Sequence, residues 1–78
     1  MNEYQYIGVI ELDNGLYFHV EKVTTPDGVY LEAGTVTNTG FIPLHGIDLE
    51  DGDDLDCKLQ DLYDLVVSRE AELDELYN

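Results

Sequence analysis

Basic residues are almost missing from this chain. Its 78 residues include only three Lys or Arg (Lys22, Lys58 and Arg69) against 18 Asp or Glu, for a formal charge of −15. Three scattered cations cannot build a basic patch, so direct binding of DNA or RNA is not expected, because phosphate neutralisation supplies most nucleic-acid affinity. Cysteine is equally scarce. One residue, Cys57, excludes an internal disulfide and a cysteine-based zinc site, and suggests a reducing compartment. No apolar run approaches the ~20 residues of a membrane span. The start, Met-Asn-Glu-Tyr, has no basic segment followed by an apolar one. A cytoplasmic protein with no membrane partner is therefore expected. Tryptophan is absent, but six tyrosines, two phenylalanines and a hydrophobic fraction of 44% argue for a folded core, not an acidic disordered tail. The length suits one small domain, residues 1–78, with a correspondingly small core.

The first half reads as strands. Residues 3–12 are rich in β-branched and aromatic residues and run directly into Asp13-Asn14-Gly15, a strong hairpin signal because Asn-Gly tolerates positive φ. Residues 16–25 alternate, with Leu16, Phe18 and Val20 on one face and Tyr17, His19 and Glu21 on the other. Pro26-Asp27-Gly28 is a turn, after which 29–37 alternate again, Val29, Leu31 and Ala33 opposing Tyr30, Glu32 and Gly34. Asn38-Thr39-Gly40 marks a third turn, and 41–44 predicts a short edge strand broken by Pro43. Residues 45–53 read as an acidic loop. From Leu55 the apolar period changes: positions 55, 59, 62, 66, 73 and 76 fall on one helix face, predicting a helix over about 54–76. Asp53 or Asp54 is placed to cap it. The expected fold is α+β: an antiparallel three- to four-stranded meander packed on one C-terminal helix (ββββα or βββα) in two layers. Leu55, Leu59, Leu62, Val66 and Leu73 are expected to pack on Phe18, Val20 and Leu31.

No catalytic, cofactor-binding or metal-ligating residue is expected. Asp48, Glu50, Asp51, Asp53, Asp54 and Asp56 invite a calcium reading, but placing Gly52 at the sixth position of an EF-hand loop puts Ile47 and Leu49 at ligand positions and Lys58 at the twelfth. That register fails, leaving a solvated loop with capping aspartates. Neither His19 nor His45 has a Ser or Cys partner in a nucleophile motif, and no glycine-rich phosphate loop occurs.

Charge placement is more informative. Residues 1–47 carry net −5 and residues 48–78 net −10. Opposite the leucine seam, Asp54, Asp61, Asp64, Ser68, Glu72 and Glu75 recur at helical spacing, an acidic stripe spanning ~21 Å from Asp61 to Glu75. Solvated helices ordinarily interleave both signs for i,i+4 pairing. Here Glu70, Glu72, Asp74 and Glu75 also crowd the helix C-terminus, where each anion costs ~0.3–1 kcal/mol against the dipole. Repeated local costs of this kind tend to mark function. The non-core sheet face offers a second surface: Glu11, Glu21 and Glu32 among Tyr17, Tyr30 and His19.

These features point to a small non-enzymatic inhibitor that presents acids where phosphates would sit. Its expected partner is a basic protein that handles DNA or RNA, such as a CRISPR effector, a restriction enzyme or a nuclease. In size, charge and logic the chain resembles the phage- and plasmid-borne nucleic-acid mimics: anti-CRISPR and anti-restriction proteins and the acidic uracil-glycosylase inhibitors. That likeness is not one of motif. The expected partner-binding residues are Asp54, Asp61, Asp64, Glu72 and Glu75 on the helix, with Glu11, Glu21, Glu32, Tyr17 and Tyr30 on the sheet. The alternatives are an adaptor or structural subunit, acidic for solubility, that homodimerises through its sheet, and an immunity-type antidote to a basic toxin nuclease.

Overall fold

A computed structural model describes the backbone of residues 2–77 and the side chains of residues 2–73. Four strands, β1 (Glu3–Glu11), β2 (Tyr17–Thr25), β3 (Gly28–Thr37) and β4 (Gly40–Leu49), are followed by one helix, α1 (Leu55–Tyr77). The strands form a single antiparallel sheet in the order β1-β2-β3-β4, so the fold is an α+β ββββα meander. No helix among the described residues is long and apolar enough to cross a membrane.

Local chemistry sets the turns. In the first, Gly15 adopts a φ of 90°, and the Leu16 amide donates to the Asn14 side-chain oxygen at 3.0 Å. The other two share a threonine device. The Thr25 hydroxyl donates to the Gly28 carbonyl at 3.0 Å and accepts the amides of Asp27 and Gly28 at 3.2 Å. Thr37 repeats this, donating to the Gly40 carbonyl at 3.0 Å and accepting the Thr39 amide at 3.2 Å. Each short side chain thereby satisfies turn backbone that no ladder reaches. At the helix start, Asp54 is the cap: its Oδ1 accepts the Asp56 amide and its carbonyl the Lys58 amide, both at 3.0 Å.

One face of the sheet meets the helix. Ile10, Leu12, Phe18, Val20, Leu31, Ala33, Leu62 and Val66 form the buried core, with Ile7, Ile47, Leu49, Leu59, Tyr63 and Leu65 packed around it. The structure corrects three expectations here. First, β4 continues through Leu49, so 45–49 is strand and the acidic loop begins at Glu50. A bulge lets Gly34 pair with Pro43 while Ala33 pairs with His45, leaving Leu44 as the extra residue. Beyond it, His45, Ile47 and Leu49 alternate toward the helix, a pattern that Gly46 and Asp48 disguise as loop. Second, Leu55 and Leu73 lie outside the core, 37% and 44% exposed, because the helix is longer than the patch of sheet it covers. Its 23 residues reach ~35 Å. Leu76 has its side chain outside the described residues. Third, Leu16 is 48% exposed, since it belongs to the first turn and not to β2.

Candidate functional site

Two acidic surfaces result, one on each layer. On the outer side of α1, Asp61, Asp64 and Glu72 are all exposed, on one helical stripe about 16 Å long. Asp64 accepts a hydrogen bond from Gln60 Nε2 at 3.1 Å, and neither Asp61 nor Glu72 has an ion pair among the described residues. Asp54 is exposed but its carboxylate is engaged in capping, so it is structural first. Glu75 falls on α1, with its side chain outside the described residues. The neighbouring Asp53 is likewise committed, accepting the Glu50 amide at 2.8 Å and facing Lys58 Nζ at 3.7 Å.

The sheet's other face carries no helix. Its residues follow from register: Tyr6 pairs with Glu21, Glu21 with Glu32, and Glu32 with Gly46, making one row across all four strands. The next row is Tyr4, Val23, Tyr30 and Asp48. Val23 is only 2% exposed although it faces away from the core, because Tyr4 and Tyr30 flank it. Tyr4, Tyr6, Val9, Tyr17 and Val36 are each more than half exposed, at 52–64%. His19 sits among them, its Nδ1 3.1 Å from the Tyr6 hydroxyl and its ring 5.7 Å from that of Tyr17.

Of the three glutamates expected to cluster here, two do. Glu21 and Glu32 are directly opposed, which puts their Cβ atoms ~5 Å apart. Glu11 pairs with Tyr17, ~13 Å further along β2, and stands apart. Partial burial, then the charge of Glu21, raises the Glu32 pKa above the usual carboxylate value. Lys22, the nearest cation in sequence, pairs with Leu31 and so lies on the opposite face. The outer face therefore displays Glu11, Glu21, Glu32 and Asp48 with no lysine or arginine. Tyr4, Tyr6 and Val9 were not expected on it. A bulge between Tyr6 and Gly8 exchanges the faces of the two halves of β1, so simple alternation places Tyr6 and Val9 on opposite sides.

His45 is wedged between sheet and helix. Its side chain is 7% exposed, its ring meets Phe18 edge-on at 5.6 Å, and its Nδ1 has no hydrogen-bond partner among the described residues. Glu70 Oε2 lies 3.9 Å from Nε2, too far for a hydrogen bond. Burial depresses the His45 pKa below 6.5, outweighing the opposing charge of Glu70, and Arg69 adds to the depression. The folded state thus favours neutral imidazole. That contribution is complete above the unfolded value of 6.5 and is lost as pH falls through and below it. His45→Leu is expected to raise the melting temperature at neutral pH, since it removes an unsatisfied buried nitrogen. It should also flatten the decline in stability between about pH 7 and 5. Parallel thermal melts of parent and variant across that range check both effects; equal acid slopes would assign the sensitivity elsewhere.

No family model, no curated protein and no solved structure matches the chain, so these two surfaces carry the functional argument by themselves.

Proposed function

We propose that the protein is a small acidic, non-enzymatic inhibitor that binds a basic DNA- or RNA-handling protein by presenting carboxylates in place of phosphates. The class fits a phage or plasmid anti-defence protein of the anti-CRISPR or anti-restriction type acting in the host cytosol. The observation that supports it is the exposed row of Asp61, Asp64 and Glu72, none of which forms an ion pair among the described residues even though Lys58 and Arg69 lie one turn away, on a domain with net charge −15. Asp61 and Asp64 stand one turn apart, close to the ~6–7 Å between phosphates of one strand, and Glu72 follows ~12 Å further on, about two phosphate spacings. Charge of one sign also steers a basic partner and makes binding fall with salt.

The test is affinity capture from host lysate at low salt, followed by elution with duplex DNA or structured RNA. A basic nucleic-acid enzyme should be retained, released by the competitor and inhibited by the pure protein. The quadruple variant Asp61→Asn, Asp64→Asn, Glu72→Gln, Glu75→Gln should then bind more weakly by ~1–3 kcal/mol for each desolvated contact, with a shallower salt dependence. It should fold at least as stably as the parent, because like-charge repulsion and the dipole conflict are relieved. Failure to retain any basic protein would overturn the proposal. So would a mobility shift of DNA or RNA by the isolated chain at physiological salt.

A further inference from the structure

The outer sheet face combines three properties that the helix row lacks. It is aromatic and open, with Tyr6 and Tyr17 57% and 61% exposed. It holds two carboxylates in direct register, Glu21 and Glu32, with no cation on the face. The place beside Glu32 on β4 is also vacant of side chain, because Gly46 occupies it; a Cβ there would stand 3.7 Å from the Glu32 Cγ, an ordinary contact. An opposed glutamate pair is destabilising unless a cation lies across it. A planar guanidinium answers this geometry best. It can fork to two carboxylates at once while stacking on a tyrosine ring, which an ammonium does less well.

We propose that this face is a docking surface for a partner protein that inserts an arginine between Glu21 and Glu32, with Tyr6, opposite Glu21, and Tyr30, two residues from Glu32, beside it. The inference rests on the charge-mimicry reading and places its anchoring contact on the sheet. Charge selects this occupant over a second copy of the chain. Two such faces brought together would set Glu11, Glu21, Glu32 and Asp48 of each against like charges, in a protein of net −15. Tyrosine beside matched acids is also the composition of an energetic centre, since its ring adds contact area at low entropic cost.

The experiment is an amide and tyrosine-ring NMR titration of the full chain with hexa-arginine peptide and, in parallel, hexa-lysine peptide at low salt. Hexa-arginine should bind more tightly than hexa-lysine, moving the amides of Glu21 and Glu32 and the rings of Tyr6 and Tyr30 most. Glu21→Gln with Glu32→Gln should weaken hexa-arginine binding by about tenfold, the value of one good charged contact. Asp61→Asn, Asp64→Asn and Glu72→Gln together should weaken hexa-arginine and hexa-lysine alike, leaving the preference for arginine and the shifts of Glu21 and Glu32 in place, as expected for a row that contributes general charge. Gly46→Arg, which supplies the guanidinium from within, should block the sheet response where Gly46→Gln does not. Binding confined to the helix row, with the glutamate double variant unaffected, would overturn the docking proposal and leave charge mimicry standing. Binding of neither peptide would remove both. Concentration-dependent shifts on the same face without peptide would identify a second copy as the occupant and overturn the arginine assignment.

Discussion

Leu62→Ala should remove ~2–5 kcal/mol of folding stability, the cost of deleting a fully enclosed leucine and leaving a cavity. Leu62 has no exposed surface and stands in the core with Val20, Leu31 and Val66, which are at most 1% exposed. It is therefore one of the few side chains through which helix and sheet hold each other. A domain of this length is expected to have on the order of 4–12 kcal/mol in total, so the loss is a large fraction and sets a low melting temperature. Leu73→Ala serves as the internal comparison. At 44% exposed it should cost less than about 1 kcal/mol, even though both leucines belong to one helical seam in the sequence. Urea denaturation of the two variants beside the parent decides the matter. Equal losses would mean that the sheet covers the helix as far as Leu73.

Gly34→Ala is the second large effect, expected at ~3 kcal/mol or more, at or above the usual range for overpacking. A methyl group at this position would overlap the carbonyl oxygen of Ile42 and come within 2.9 Å of the Ile42 carbonyl carbon and of Pro43 Cα. All three are backbone atoms of β4, so no rotamer change relieves the clash; the ladder at the bulge must open. Hydrogen exchange should show this locally, with β3–β4 amides losing protection before those of β1–β2. Gly8→Ala provides the contrast: its added Cβ meets nothing within 4 Å, and the residue is not among the positive-φ glycines. That variant should be neutral or gain about 0.4–1 kcal/mol by restricting the unfolded chain. A Gly34→Ala protein as stable as Gly8→Ala would show that the bulge does not bring the two strands together as described.

The sequence by itself determined the first three strands, the turns that follow them and, to within one residue, the helix start, because each depends on chemistry within a few residues; it left the fourth strand optional. Asn14-Gly15, Thr25 to Gly28 and Thr37 to Gly40 satisfy their own backbone, and Asp54 caps α1 with its own carboxylate. The excess of acid, and its one-sided row on the helix, were legible for the same reason: a helical period needs no partner to be counted. Which face each strand residue takes was another matter. Alternation carries parity only as far as the next bulge, and the bulges near Ile7 and Leu44 reverse it midway through β1 and β4. A bulge forms where the neighbouring strand accommodates an extra residue, so its position is a property of the pair and not of either segment. Only the tertiary structure therefore extended β4 to Leu49, gathered Tyr4, Tyr6 and Val9 onto the open face, and separated Glu11 from the opposed pair of Glu21 and Glu32.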